Sequence, residues 1–116
     1  MTHLKNKATV LSEIFADNKL TVAGSDGAND FIWKRDTDWV READILIAEV
    51  TNPSLGVGYE IAKAEEWNKP ILALFRDTGE RKLSAMIEGS PNTTTVYYKE
   101  ISEALRAVDG FLQLQK

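Results

Sequence analysis

The sequence contains no cysteine, which excludes disulfides and thiolate-metal sites and suits a reducing cytosol. It has one histidine, His3, close to the start, so no histidine-based triad or zinc centre can be assembled from it. No stretch approaches the apolar length of a membrane span, and no signal-peptide pattern opens the chain. Basic residues are too few for a general nucleic-acid binder: 14 Lys and Arg stand against 18 Asp and Glu, a formal charge of −4. The closest basic grouping is Arg76, Arg81 and Lys82. With 116 residues and no internal repeat, linker or low-complexity segment, one domain over residues 1–116 is expected. These absences lead to the expectation of a cytoplasmic protein with no membrane and no nucleic-acid polymer among its partners.

What is present is an alternation of helical and strand-like segments. Leu4, Ala8, Leu11 and Phe15 recur at helical spacing and predict an amphipathic first helix over Leu4 to Phe15. Lys19 to Val22 reads as a short strand, and the glycine-containing stretch Ala23 to Asn29 as a loop. Asp30 can cap a second helix that runs to Glu42. Ala43 to Val50 is apolar on both faces at its centre, the pattern of a strand buried in a parallel sheet. Thr51 to Gly58 predicts a loop and Tyr59 to Trp67 a helix, stopped by Asn68-Lys69-Pro70. Ile71 to Phe75 and Thr94 to Tyr98 predict two more strands. Leu83, Met86 and Ile87 form a short amphipathic turn, and Ile101, Leu105, Val108 and Leu112 the apolar face of a terminal helix. The expected fold is an α/β, flavodoxin-like or Rossmann-like layered domain with a mostly parallel sheet of four to five strands.

In such sheets ligands bind beyond the carboxyl ends of the strands. The segment Thr51-Asn52-Pro53-Ser54-Leu55-Gly56-Val57-Gly58 occupies that place and leads into a helix N-terminus, which favours an anion. It fits a phosphate cradle with Ser54 as hydroxyl donor, although glycine spacing alone fits a plain turn more often. Glu60 opens the following helix and is either a dipole-stabilising residue or a nucleophile. Asp36 lies four residues after Ile32, on the face that also carries Trp39 and Val40, where an unpartnered charge is rare. An inward carboxylate and an edge residue bonded to Arg35 or water are equally compatible with that spacing. Glu49, at the end of the buried strand, is a third candidate. Two carboxylates near one anomeric carbon are the usual equipment for glycosidic cleavage.

The run Ala43 to Glu60, containing Pro53-Ser54-Leu55-Gly56-Val57-Gly58-Tyr59-Glu60, resembles the 2'-deoxynucleoside 5'-phosphate N-hydrolases (the Rcl proteins) of the nucleoside 2-deoxyribosyltransferase superfamily. The likeness continues through Asn68-Lys69-Pro70-Ile71-Leu72, Leu74-Phe75-Arg76 and Leu83-Ser84-Ala85-Met86-Ile87-Glu88-Gly89. Upstream, Arg35-Asp36-Thr37-Asp38-Trp39 resembles the family's acidic helix motif, so that the match spans about residues 30 to 98.

The resemblance implies an N-glycosidase acting on deoxynucleoside 5'-monophosphates. Glu60 then attacks C1' and Asp36 assists the nucleophile and the departing base. Ser54, Gly56, Ser84 and Met86 bind substrate, with Ser84 reaching the phosphate in a neighbouring subunit's site. That arrangement implies a homodimer with shared active sites and neither metal nor organic cofactor. A serine at position 54 suits a phosphate, where an acid would repel one. The resemblance departs at the start: the family's first strand, its loop of roughly Gly-Ser-Ile-Arg-Gly-Gly, and a pocket tyrosine have no counterpart here. A deoxyribosyltransferase and a binding module without catalysis are the alternative expectations.

Overall fold

The computed structural model describes residues 8–12 and 29–115. The expected strand at Lys19 to Val22 and the loop from Ala23 to Ala28 lie outside the described residues. Among the described residues eight elements follow in order: β1 (Ala8–Ser12), α1 (Asn29–Glu42), β2 (Ile45–Glu49), α2 (Leu55–Glu66), β3 (Ile71–Arg76), α3 (Ala85–Glu88), β4 (Thr93–Tyr98) and α4 (Ile101–Leu114). The strands lie in the order β1-β2-β3-β4 and every neighbouring pair is parallel. The α/β class with a parallel sheet is therefore as expected.

Side chains of β2 and β3 alternate between two buried layers, as strand geometry requires. Leu46, Ala48, Ile71, Ala73 and Phe75 join Val40 of α1 and Val57, Ile61 and Ala64 of α2 on one side. Ile45, Ile47, Leu72 and Leu74 join Ala104 and Phe111 of α4 on the other. Both faces of the central strands are thus covered, which is why their sequences read as continuous apolar runs rather than as alternation.

Several expectations are corrected. Ala8–Ser12 is a strand, not part of a helix, and it pairs with β2 from Ala8 opposite Ile45 to Ser12 opposite Glu49. Apolar spacing in so short a segment fits either period, and Thr9 and Val10 are β-branched, which favours the strand. The edge of β2 therefore has a partner strand, contrary to the expectation that a first strand has no counterpart.

Helix α2 begins at Leu55, four residues before the expected start. The Ser54 hydroxyl accepts a hydrogen bond from the Val57 amide at 3.2 Å and caps the helix. Gly56 and Gly58 therefore lie inside α2, where their low helix propensity hides the true start. The end comes where expected, with Asn68 at a φ of 59° and its amide bonded to the Glu65 carbonyl.

The buried face of α4 centres on Ala104 and Phe111, while Ile101 and Leu105 are exposed. Of the expected face, Val108 and Leu112 do pack on this layer, around Ala104 and Phe111. In the segment around α3, Leu83 and Ile87 pack on the core, but Met86 points to solvent and is 84% exposed.

Candidate active site

Two cavities flank the start of α2, and Ser54 and Val57 line both. One, of about 330 Å³, lies between α1 and α2 and is bordered by Trp33, Arg35, Asp36, Gly56, Tyr59 and Glu60. The other, of about 470 Å³, is bordered by Thr51, Asn52, Arg81, Lys82 and Ser84.

The structure brings Asp36 and Glu60 together from neighbouring helices. Asp36 lies on α1, four residues after buried Ile32 and four before buried Val40. Glu60 lies in the second turn of α2, one turn deeper than expected, between buried Val57 and Ala64. It is only 9% exposed. Burial pushes its carboxyl from 4.5 up to about 8, helped by the negative charge of Asp36 and a hydrogen bond with the Asp36 side chain, and opposed by Arg35. At neutral pH Glu60 therefore carries a proton.

Asp36 is not an unpartnered charge. Arg35 Nε lies 3.0 Å from its Oδ1. The Arg35 guanidinium stacks against Trp39 at 4.8 Å and Phe31 at 5.8 Å, at spacings of four residues either way along α1. Those aromatic contacts hold the arginine in place, and the arginine restrains the aspartate.

Ser54 and Gly56 share the carboxylate cavity with this pair. Capping occupies a lone pair of the Ser54 oxygen and leaves its proton available to an acceptor. The amides of Leu55 and Gly56, at the first two helical positions, have no acceptor within the helix. A methyl group added at Gly56 would meet no protein atom within 4 Å, so packing does not require glycine there and the open space belongs to the cavity.

Ser84 lies with Ser54 on the second cavity, where its hydroxyl caps α3 by accepting from the Met86 amide at 3.2 Å. Met86 lines neither cavity. Arg81, from the basic grouping Arg76, Arg81 and Lys82, is held there by the Asn52 side chain.

Glu49 belongs to a different construction. Its carboxylate accepts from the Tyr98 hydroxyl at 2.6 Å, the Thr51 hydroxyl at 2.5 Å and the Thr51 amide at 3.1 Å. It fastens the end of β2 to β4 and to the loop that leads to Ser54. Sequence reasoning missed Trp33 and Tyr59 as lining residues. Trp33 stands one helical turn before Asp36, and that spacing is the signal that could have found it. Among the described residues no three histidine, cysteine or acidic side chains gather into a metal-binding group.

A buried acid that holds a proton beside a carboxylate, next to hydroxyl and amide donors, provides an acid, a base and an anion site within one cavity. The profile of the nucleoside 2-deoxyribosyltransferase family matches residues 2–106, well beyond the 30–98 expected from motifs. A protein of Syntrophotalea carbinolica, provisionally named 2'-deoxynucleoside 5'-phosphate N-hydrolase 1, is 56% identical over 72 residues, covering 62% of this chain and 51% of its own. The 5-hydroxymethyl-dUMP N-hydrolase of Mus musculus is 48% identical over 92 residues, covering 78% of this chain and 53% of its own. The chain thus spans about half the length of these two relatives.

It spans more of the protein of the same name from Tetraodon nigroviridis, which is 39% identical over 117 residues, covering 97% of this chain and 82% of its own. The Clostridium botulinum CMP N-glycosidase BcmB superposes with a TM-score of 0.66 over 89% of this chain and 99% of its own, at 23% identity, a likeness of fold. With a family match over nearly the whole chain and a relative aligned along 97% of it, the protein belongs to the nucleoside 2-deoxyribosyltransferase family.

Proposed function

We propose that the protein hydrolyses the N-glycosidic bond of deoxynucleoside 5'-monophosphates, releasing free base and 2-deoxyribose 5-phosphate. The observation that carries the reading is the pairing of Asp36 with buried Glu60 in a cavity that Ser54 and Gly56 also line. The names of the relatives point the same way.

The reaction runs in two displacements. As a Glu60 oxygen closes on C1', its proton passes across the hydrogen bond to Asp36. The C1'–N bond breaks, its electron pair leaves with the base, and Asp36 delivers the proton to that base. Glu60 is now esterified to C1' and Asp36 is a carboxylate. Asp36 then takes a proton from water as the water oxygen bonds to C1'. Glu60 departs as a carboxylate, and the proton returns to it from Asp36. The phosphate lies against the Ser54 hydroxyl and the Leu55 and Gly56 amides, where the helix N-terminus favours an anion.

The same reading extends to assembly and location. We infer a homodimer with shared sites in the cytoplasm. Met86 offers a second copy an apolar side chain, and Ser84 beside it keeps a hydroxyl proton for a phosphate. No helix among the described residues is long and apolar enough to cross a membrane, and the absence of cysteine suits a reducing compartment.

The direct test is incubation with deoxyguanosine monophosphate, with chromatographic assay of the products. Free guanine and 2-deoxyribose 5-phosphate are expected. Formation of a new nucleotide on addition of an acceptor base, at the expense of hydrolysis, would instead make the protein a transferase.

A further inference from the structure

The chemistry above leaves the aromatic side of the carboxylate cavity unused. Trp33 stands one turn before Asp36 on α1, and Tyr59 directly precedes Glu60 on α2. Trp33 Nε1 donates a hydrogen bond to the Tyr59 hydroxyl at 3.0 Å, joining the two helices across the cavity that both residues line. Trp33 nevertheless remains 51% exposed and Tyr59 48% exposed. Large rings are ordinarily covered, because their faces carry much of a core's or an interface's apolar burial. Here the polar edge of the indole is engaged while much of the ring surface stays bare, within a few residues of the proposed reacting groups.

We propose that Trp33 and Tyr59 form the surface on which the substrate's nucleobase stacks, so that the base is selected by ring face more than by hydrogen-bonding edge. The inference rests on the reaction proposed above. The base is bonded to C1', and C1' must lie against the Glu60 carboxyl, beside Asp36, so the base lies within one ring's reach of that pair. Ser54 and Gly56 take the phosphate side, which leaves the two aromatic residues for the base. The means of reading a base edge are few. The Trp33 N–H is already bound to Tyr59, the Thr37 hydroxyl donates to the Trp33 carbonyl at 2.7 Å, and Arg35 is bound to Asp36. Among the described lining residues Asn29, the Tyr59 hydroxyl proton and the terminal N–H groups of Arg35, stacked on Phe31 and Trp39, remain. Stacking tolerates any base, because every base has a π face, and it strengthens with ring area. Purine monophosphates should therefore bind more tightly than pyrimidine ones.

The test uses calorimetry in a Glu60→Gln background, which binds without turnover. Its probes are deoxyguanosine monophosphate, deoxyuridine monophosphate and 2-deoxyribose 5-phosphate. Trp33→Leu is expected to weaken the guanine nucleotide about tenfold, equivalent to about 1.4 kcal/mol, and the uracil nucleotide less. It should leave the base-free sugar phosphate unchanged. Trp33→Phe, which keeps a ring face, should recover most of the loss. Equal binding of all three probes with and without Trp33→Leu would overturn the proposal, as would a loss that included the sugar phosphate. If wild-type protein releases base and Trp33→Leu has an unaltered KM, the stacking surface falls while the reaction stands. If no nucleotide binds and no base is released, both fall.

Discussion

At the residue scale, Glu60 combines function with a stability liability. Its folded-state carboxyl titrates near 8, against an ordinary 4.5. The folded protein therefore holds a proton that the unfolded chain loses first. The stabilisation from that proton is complete below about pH 4.5, declines as pH rises, and is gone above about pH 8. Glu60→Gln does not titrate, so its melting temperature should exceed that of the wild type by a margin that widens between those limits. Thermal melts across pH would show it, and a constant difference would mean that Glu60 is ordinary. The same proton is needed by the departing base, so wild-type kcat/KM should fall as pH passes about 8. Gly56 makes the converse case. An added methyl meets no protein atom, so Gly56→Ala should stabilise α2 by about 0.5–1 kcal/mol while raising KM for the monophosphate. A stabilised variant with unaltered KM would show that the space at Gly56 is not used by a ligand.

At the scale of elements, the Glu49 clasp joins β2, β4 and the loop before α2. Hydrogen bonds to a charged group are worth about 1.5–3 kcal/mol each, so Glu49→Gln should destabilise the protein by a comparable amount. Its alkaline limb of kcat/KM should stay near pH 8, because the Asp36–Glu60 pair is untouched; a displaced limb would place Glu49 in the chemistry. The elements also differ in how well the sequence announces them. β2 and β3 were legible because both their faces are apolar, and the end of α2 because Asn68 and Pro70 stop it. The pairing of Asp36 with Glu60 was only partly legible: the spacing from Ile32 fits an inward carboxylate and an edge residue equally, and no local pattern says which helix Asp36 faces. β1 was misread because Ala8 and Leu11 keep the helical spacing, while Val10 between them also makes the segment an apolar strand run. The start of α2 was misread because Gly56 and Gly58 weaken the helical signal while Ser54 caps it. Glu49 looked like a site residue because its partner Tyr98, 49 residues further on, is brought to it only by the parallel sheet. Trp33 and Tyr59, 26 residues apart, become neighbours only when α1 packs on α2.

At the scale of the whole molecule, the shared-site arrangement can be tested by mixing subunits. In a dimer whose Ser84 completes the neighbour's phosphate site, Ser84→Ala alone should raise KM about tenfold or more, from the loss of one hydrogen bond to a charged group. Combined with Glu60→Ala subunits, it gives mixed dimers in which one site carries both defects and the other carries neither. Activity recovered on mixing would support sharing, whereas a fully active monomer indifferent to Ser84→Ala would exclude it. All of this depends on two carboxyl groups on adjacent helices breaking one glycosidic bond. The decisive measurement is release of free base from deoxyguanosine monophosphate by wild-type, Glu60→Gln and Asp36→Asn proteins, each first shown to be folded by its melting transition. Wild-type protein should release guanine, Glu60→Gln none above background, and Asp36→Asn at a strongly reduced rate. Near wild-type release by folded Glu60→Gln would contradict the assignment of Glu60 as nucleophile.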